Sequence, residues 1–179
     1  MSRRLPESVR AAAAALVVAT MLTGCALFGG SGERKPPAVE AALTPIGGSA
    51  AQGSAMFTPR GDGVTMLVQL NGLAPGRYRV LVHANGNCTS PNGFSAGPPW
   101  SPPGAPSPLV ERIPIMTTNS EGSATLTVRL AGVTVDGPNG LAGRSVVLHD
   151  APDGPFDARP DVPNARIACG VIGPLHSLF

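Results

Sequence analysis

Apolar and polar residues alternate through GSAMFTPRGDGVTMLVQLNGLAPGRYRVLVH, residues 53–83 of the 179-residue chain. The clearest run has two sets of side chains: Val64, Met66, Val68 and Leu70 on one face, and Thr65, Leu67 and Gln69 on the other. A period of two buries one face of a β-strand and leaves the other in water. Turn-forming stretches at 59–63 (PRGDG) and 71–76 (NGLAPG) flank this run. The stretch therefore predicts antiparallel strands joined by short turns.

Similar short strands are predicted along the rest of the chain, and no stretch after residue 24 has a convincing helical period. Turn residues punctuate the pattern at 119–122 (NSEG) and 136–140 (DGPNG). We predict eight strands, at 39–45, 52–58, 64–70, 77–83, 112–118, 123–130, 144–149 and 166–172. The fold class is therefore all-β, either a sandwich or a Greek-key barrel.

Two long loops interrupt this pattern, and each begins directly after a histidine. The first follows His83, runs to about residue 111 and contains the proline-rich segment PPWSPPGAPSP at 98–108. The second follows His149 and covers 150–165. Long loops on a rigid β scaffold often carry function, so the histidines that precede them are candidate site residues.

The N-terminal segment is predicted to be a lipoprotein signal peptide, residues 1–24. Three arginines precede an apolar run at 11–22, which is too short to span a bilayer. The run ends in LTGC at 22–25, which resembles the bacterial lipobox and implies lipidation of Cys25. The alternative is an ordinary secretory signal. The lipidated form predicts an exported protein anchored to the outer face of the bacterial cell membrane through Cys25.

A polar segment rich in glycine and proline, GGSGERKPP at 29–37, separates the anchor from the fold. We predict a flexible tether at 25–38 and a folded domain at 39–179. The chain without residues 1–24 has ten basic and ten acidic residues, so its net charge is zero. The absence of a basic stripe in the sequence argues against a nucleic-acid partner. No protein partner can be named.

Two cysteines remain beside Cys25. Cys88 and Cys169 form an even pair in a chain predicted to be exported, and we expect them to form a disulfide. Two free thiols, the alternative, suit an oxidising compartment poorly.

Four segments together resemble the copper/zinc superoxide dismutase family. Residues 53–83 are similar to its first hairpin and to the strand that carries its copper histidines. NCTSPNGFSAGPPW at 87–100 resembles the segment with the first disulfide cysteine, and GRSVVLHD at 143–150 the strand with a later copper histidine. ARIACGVIG at 165–173 resembles the family's C-terminal signature. The resemblance implies an eight-stranded Greek-key β-barrel with two long loops.

Three ligand positions implied by the resemblance hold residues that cannot bind a metal cation. The family's strand carries His-x-His, whereas this chain has Leu81 and His83 at those positions. Pro99 stands at the position of the bridging histidine, and Arg112 at that of the zinc aspartate. No other histidine lies in the first loop, so a zinc site is not expected.

Four other positions keep the family's residue types. His83 and His149 match two copper ligands, and Asp153 matches an aspartate that links the two metal sites through hydrogen bonds. Arg166 matches the arginine that guides superoxide, although it could instead hydrogen-bond loop carbonyls. The single tryptophan, Trp100, either pins the first loop to the barrel or forms an exposed contact.

The number of histidines limits the metal chemistry. The family's dinuclear site uses six histidines and one aspartate, whereas this chain has His83, His149 and His176. His83 and His149 could bind copper weakly, as linear Cu(I) if they face each other, or could serve only a structural role. His176 could join them, although nothing in its spacing requires it. Copper is therefore expected to be weakly bound or absent.

Three functional hypotheses follow. The first is a membrane-anchored extracytoplasmic lipoprotein with the dismutase fold and little or no dismutase activity. The second is a copper-only superoxide dismutase that converts superoxide to oxygen and hydrogen peroxide and steers the anion with Arg166. The third is a copper-binding or copper-buffering module that uses His83 and His149.

Overall fold

The computed structural model describes residues 37–151 and 165–175. The predicted signal peptide, nearly all of the predicted tether and most of the second loop lie outside this part of the chain, as do Cys25, Asp153 and His176. Within the described ranges, no helix reaches the length and hydropathy that a membrane span requires.

The described residues form nine β-strands, one short α-helix and one 3-10 turn. The strands are β1 Val39–Pro45, β2 Gln52–Arg60, β3 Gly63–Asn71, β4 Arg77–His83, β5 Met116–Thr117, β6 Ala124–Ala131, β7 Ser145–Asp150, β8 Arg166–Val171 and β9 Gly173–Pro174. The helix α1 covers Leu109–Arg112, and the 3-10 turn covers Phe94–Ala96.

All strand pairs are antiparallel, and eight strands follow the order β5-β4-β7-β8-β1-β2-β3-β6. The two end strands, β5 and β6, contact each other, so the sheet is a nearly closed barrel. The ninth strand adds a short pairing to β1. The predicted eight-stranded Greek-key barrel is confirmed.

The alternation seen in the sequence decides which side chains fill the barrel. In β3, Val64, Met66, Val68 and Leu70 are all buried. The β2–β3 hairpin closes after the pair Arg60 and Gly63, and Gly61 in its turn has φ 56°, a left-handed conformation that glycine adopts without strain. Burial of this stripe against the other strands forms the main hydrophobic core.

The strand predicted at 112–118 is wrong over most of its length. Within that range only Met116–Thr117 is a strand, and Arg112 is the last residue of α1. Pro108 takes the N-cap position, and Leu109 and Ile113 bury the same side of one helical turn, four residues apart. Ile113 adopts an extended conformation because Pro114 follows it, which ends the helix.

β4 and β7 are buried on both faces, whereas many antiparallel strands leave one face in solvent. Residues 80–83 and 145–149 are all buried. Their inner face joins the barrel core, and the first loop covers their outer face. Backbone hydrogen bonds Ala84 N–H to Pro98 O (3.0 Å) and Trp100 N–H to Val82 O (2.8 Å) hold the loop there. The candidate histidines lie under this cover.

Candidate functional site

His83 and His149 come together on the outer face of the β4–β7 pair. His83 ends β4 and is 0% exposed, while His149 lies near the end of β7 and is 3% exposed. Their Nε2 atoms are 3.0 Å apart, and their rings stack with centroids separated by 5.2 Å and planes inclined by 15°. The fold therefore places the two predicted copper histidines side by side.

Hydrogen bonding determines the tautomer of the pair. The Nδ1 atom of His83 lies 2.8 Å from the carbonyl oxygen of Gly97. Because a carbonyl only accepts, His83 carries its proton on Nδ1, and its Nε2 holds a lone pair. The Nε2–H of His149 then donates to the Nε2 of His83. The two imidazoles thus form a hydrogen-bonded pair that is tied to the first loop through His83.

Burial keeps His83 uncharged. It lowers the pKa of His83 from 6.5 to about 4; the Gly97 hydrogen bond opposes this shift, and the positive charge of Arg166 adds to it. His83 is therefore neutral near pH 7, the form in which an imidazole binds a metal through its unprotonated nitrogen.

Arg166, at the start of β8, fastens the first loop to the barrel. Its guanidinium donates to the carbonyl oxygens of Gly93 (2.7 Å) and Gly97 (3.0 Å) and lies 5.0 Å from the centre of the Phe94 ring. His83 and Arg166 therefore share the Gly97 carbonyl. These contacts match the loop-binding alternative for Arg166 that the sequence left open.

The three residues that the resemblance implied at ligand positions have structural contacts. Leu81 is fully buried on the outer face of β4, two residues before His83. Pro99 forms an isolated antiparallel bridge with His83. Arg112 donates from Nη2 to the carbonyl oxygen of Ala131 at 2.5 Å. None of the three side chains is a metal ligand, and Leu81 and Pro99 place apolar groups beside His83.

The described residues do not fit the dinuclear metal group that the family resemblance implies. No group of three or more His, Cys, Asp or Glu side chains comes together within 37–151 and 165–175. The Nε2 atoms of His83 and His149, 3.0 Å apart, are the nitrogens that would hold a copper ion, which would supply redox chemistry.

Further contacts hold the first loop over the histidine pair. Cys88 in the loop is disulfide-bonded to Cys169 in β8, which confirms the predicted pairing. The Trp100 ring lies under the guanidinium of Arg144, 3.9 Å from its centroid, and packs against the core. Trp100 therefore pins the loop. The role of Gly97 was not predicted; its φ of 76° is a left-handed conformation that favours glycine, so its residue type was the one available signal.

Comparisons with known proteins agree with this architecture. A family model described as copper/zinc superoxide dismutase matches residues 51–172. Superoxide dismutase [Cu-Zn] 2 from Brassica juncea is 32% identical over 136 residues, which cover 68% of this chain and 89% of that protein. The match therefore includes both candidate histidines, the disulfide and Arg166.

Proposed function

Because the chain belongs to the copper/zinc superoxide dismutase family, we propose that it is an extracytoplasmic lipoprotein that keeps the family's barrel and has little or no dismutase activity. Its barrel serves as a scaffold at the cell envelope, with loops available for interaction. Fold alone does not fix activity, since the site decides which chemistry is available.

The shortage of metal ligands is what supports this proposal. The described residues hold no cluster of three metal-binding side chains, and the family resemblance implies that Leu81, Pro99 and Arg112 stand at three ligand positions. Superoxide dismutation by copper requires a metal held by several ligands through both oxidation states. Two imidazoles bind copper weakly, and zinc binding is not expected.

The contacts of the retained residues support a structural role for them. His83 donates to Gly97, accepts from His149 and is buried, while Arg166 uses its guanidinium on the Gly93 and Gly97 carbonyls. Loss of one partner would leave a buried polar group unsatisfied, which costs about 1–3 kcal/mol. That cost can preserve these residues without any metal.

The membrane anchor is part of the same proposal and rests on the sequence. The lipobox-like LTGC at 22–25 supports cleavage before Cys25, lipidation of that cysteine and attachment to the outer face of the cell membrane. Mass spectrometry of the mature N-terminal peptide tests it. We expect an acylated Cys25 and release of the Cys25→Ala variant from membranes. An unmodified Cys25 in a membrane-free protein would contradict the anchor.

Metal analysis and an activity assay on the full-length protein test the enzymatic part. The protein is expressed with added copper and zinc, and its metal content and superoxide dismutation are measured beside a two-metal dismutase. We expect substoichiometric copper, no bound zinc and a superoxide dismutation rate close to the spontaneous rate in buffer alone. Stoichiometric copper with dismutation near the diffusion limit would overturn the proposal.

A second candidate is a copper-binding or copper-buffering module, which the 3.0 Å separation of the His83 and His149 Nε2 atoms favours. Competition with a copper chelator tests it in the wild type and in a His83→Asn/His149→Asn variant. Affinity lost in the variant supports copper binding, and equal affinity rejects it.

A copper-only dismutase further requires that Arg166→Gln lower the dismutation rate of the copper-loaded protein.

A further inference from the structure

A pocket of about 330 Å³ opens at one end of the barrel, away from the face that carries the histidine pair. It lies between the β1–β2 and β3–β4 connections, where β7 ends and β8 begins. Asp150 follows His149 in β7 and therefore points to the opposite face. Its register partner in β4 is Tyr78, a core residue. We call this cavity the barrel-mouth pocket.

Small residues keep the barrel-mouth pocket open. Ala50, Ala51 and Ala74 contribute short side chains, while Leu73 forms an apolar wall. At Gly72 a Cβ atom would come within 2.3 Å of the Ala50 carbonyl oxygen, so the two connections that line the pocket pack closely there. Mouths of β-barrels are common ligand sites, and this volume is at the lower end of the ligand-pocket range.

The hydroxyl groups of the pocket are already used within the protein. Ser49 Oγ donates to the Ile167 carbonyl oxygen (2.7 Å) and accepts from the Ala51 N–H (3.0 Å). The Tyr78 hydroxyl donates to the Ala74 carbonyl oxygen (2.8 Å). Their internal hydrogen bonds leave the pocket lining predominantly apolar for an incoming ligand.

Asp150 supplies a negative charge at this apolar pocket. Its side chain is exposed, and in the part of the chain that the structure describes its carboxylate forms no ion pair and no hydrogen bond. The charge also acts on the neighbouring Tyr78, whose pKa is raised first by burial and then by Asp150. A ligand that fits must therefore present an apolar body and one positive charge.

We propose that the barrel-mouth pocket binds a small organic cation, an arylalkyl- or alkylammonium ion. Its apolar part packs on Leu73, Ala51 and Ile167, and its ammonium group pairs with Asp150. The cavity is about twice the size of an engineered 150 Å³ cavity that holds benzene, so one ring with a short amine arm fits. This site is separate from the histidine pair and does not depend on the proposed loss of dismutase activity.

Protein-detected NMR on the full-length protein in a neutral detergent tests the proposal, with 2-phenylethylammonium as the probe. We expect saturable amide shifts centred on Leu73, Ile167 and Asp150. Phenylacetate, which has a similar ring and the opposite charge, is expected to give no saturable shifts, and 2-phenylethanol is expected to bind more weakly than the amine.

Two variants and one control separate the contribution of the Asp150 charge to binding from that of the cavity volume. Asp150→Asn should weaken binding about three- to fivefold, the size of an exposed ion pair. Ala50→Trp fills the cavity from an exposed position and should abolish binding. Asp136→Asn removes an exposed carboxylate from the β6–β7 connection and should have no effect. Equal binding of amine and carboxylate, or unchanged binding in Ala50→Trp, would overturn the proposal.

Discussion

The Nε2 atoms of His83 and His149 lie 3.0 Å apart although the two residues are four positions out of register on paired strands. His83 pairs with Ser145, and His149 pairs with Arg79. The two imidazoles therefore approach each other along the outer face, on which Leu81 and Val147 are the register pair between them. His83 thus sits beside buried apolar side chains, which favours its neutral form.

The first prediction concerns stability at acidic pH. His83 has a pKa of about 4 in the fold and about 6.5 when unfolded, so the unfolded chain binds a proton first as the pH falls. The contribution of neutral His83 to the free energy of unfolding is fully present above pH 6.5 and is lost progressively between pH 6.5 and 4. The total loss is roughly 3 kcal/mol. Urea unfolding at several pH values measures it.

The matched control for this prediction is His83→Asn, which keeps an N–H donor for Gly97 and removes the titrating group. The variant should be less stable near pH 7 and should lose less stability between pH 6.5 and 4 than the wild type. Carboxylates titrate in both proteins, so the difference between them isolates His83. Parallel pH profiles for the two proteins would contradict the assignment.

The second prediction is that Leu81→His strengthens copper binding. Residues 81 and 83 share the outer face of β4, so the new imidazole adds a third nitrogen to the pair. We expect Cu(II) affinity to rise by on the order of tenfold or more. Loss of the buried leucine should lower the free energy of unfolding of the metal-free protein by about 2–4 kcal/mol.

Chelator competition measures that affinity, and Leu81→Asn is the matched control. Asparagine introduces a polar group at the same buried position without an imidazole nitrogen. It should reproduce the stability loss and leave copper affinity unchanged. If both variants bind copper as the wild type does, position 81 does not face the histidine pair.

The third prediction concerns the disulfide between Cys88 and Cys169, which closes a loop of 81 residues and joins the first loop to β8. A Cys88→Ala/Cys169→Ala variant should lose roughly 2–4 kcal/mol of unfolding free energy, because its unfolded chain regains the freedom that the crosslink removes. Chemical unfolding measures the loss. Limited proteolysis should cut the variant first within 84–108. Unchanged stability would show that the hydrogen bonds of the loop suffice.

The sequence predicted the strands well because the barrel has one dominant stripe of apolar side chains, as in Val64 to Leu70. It failed at 112–118, where Leu109 and Ile113 have a helical spacing too short to stand out. The histidine pair was predicted by resemblance. The hydrogen bond from His83 to the Gly97 carbonyl could not be predicted, because a backbone carbonyl has no signature in the sequence.

The fourth prediction concerns the contact between Arg144 and Trp100. The Arg144 guanidinium lies 3.9 Å from the centre of the Trp100 ring, and its Nε donates to the Gly140 carbonyl oxygen at 2.7 Å. Arg144→Met keeps an apolar stem over the ring and removes the charge and the donor. We expect a loss of about 1–2 kcal/mol of unfolding free energy.

Fluorescence provides a second measurement, because Trp100 is the only tryptophan in the chain. Its emission should move to longer wavelength in Arg144→Met as the first loop loosens and water reaches the ring. Arg129→Met is the matched control, since it removes an arginine from an exposed ion pair with Asp62. That control should change stability by less than about 1 kcal/mol and leave the emission unchanged. If the two variants behave alike, Arg144 does not hold the loop against the barrel.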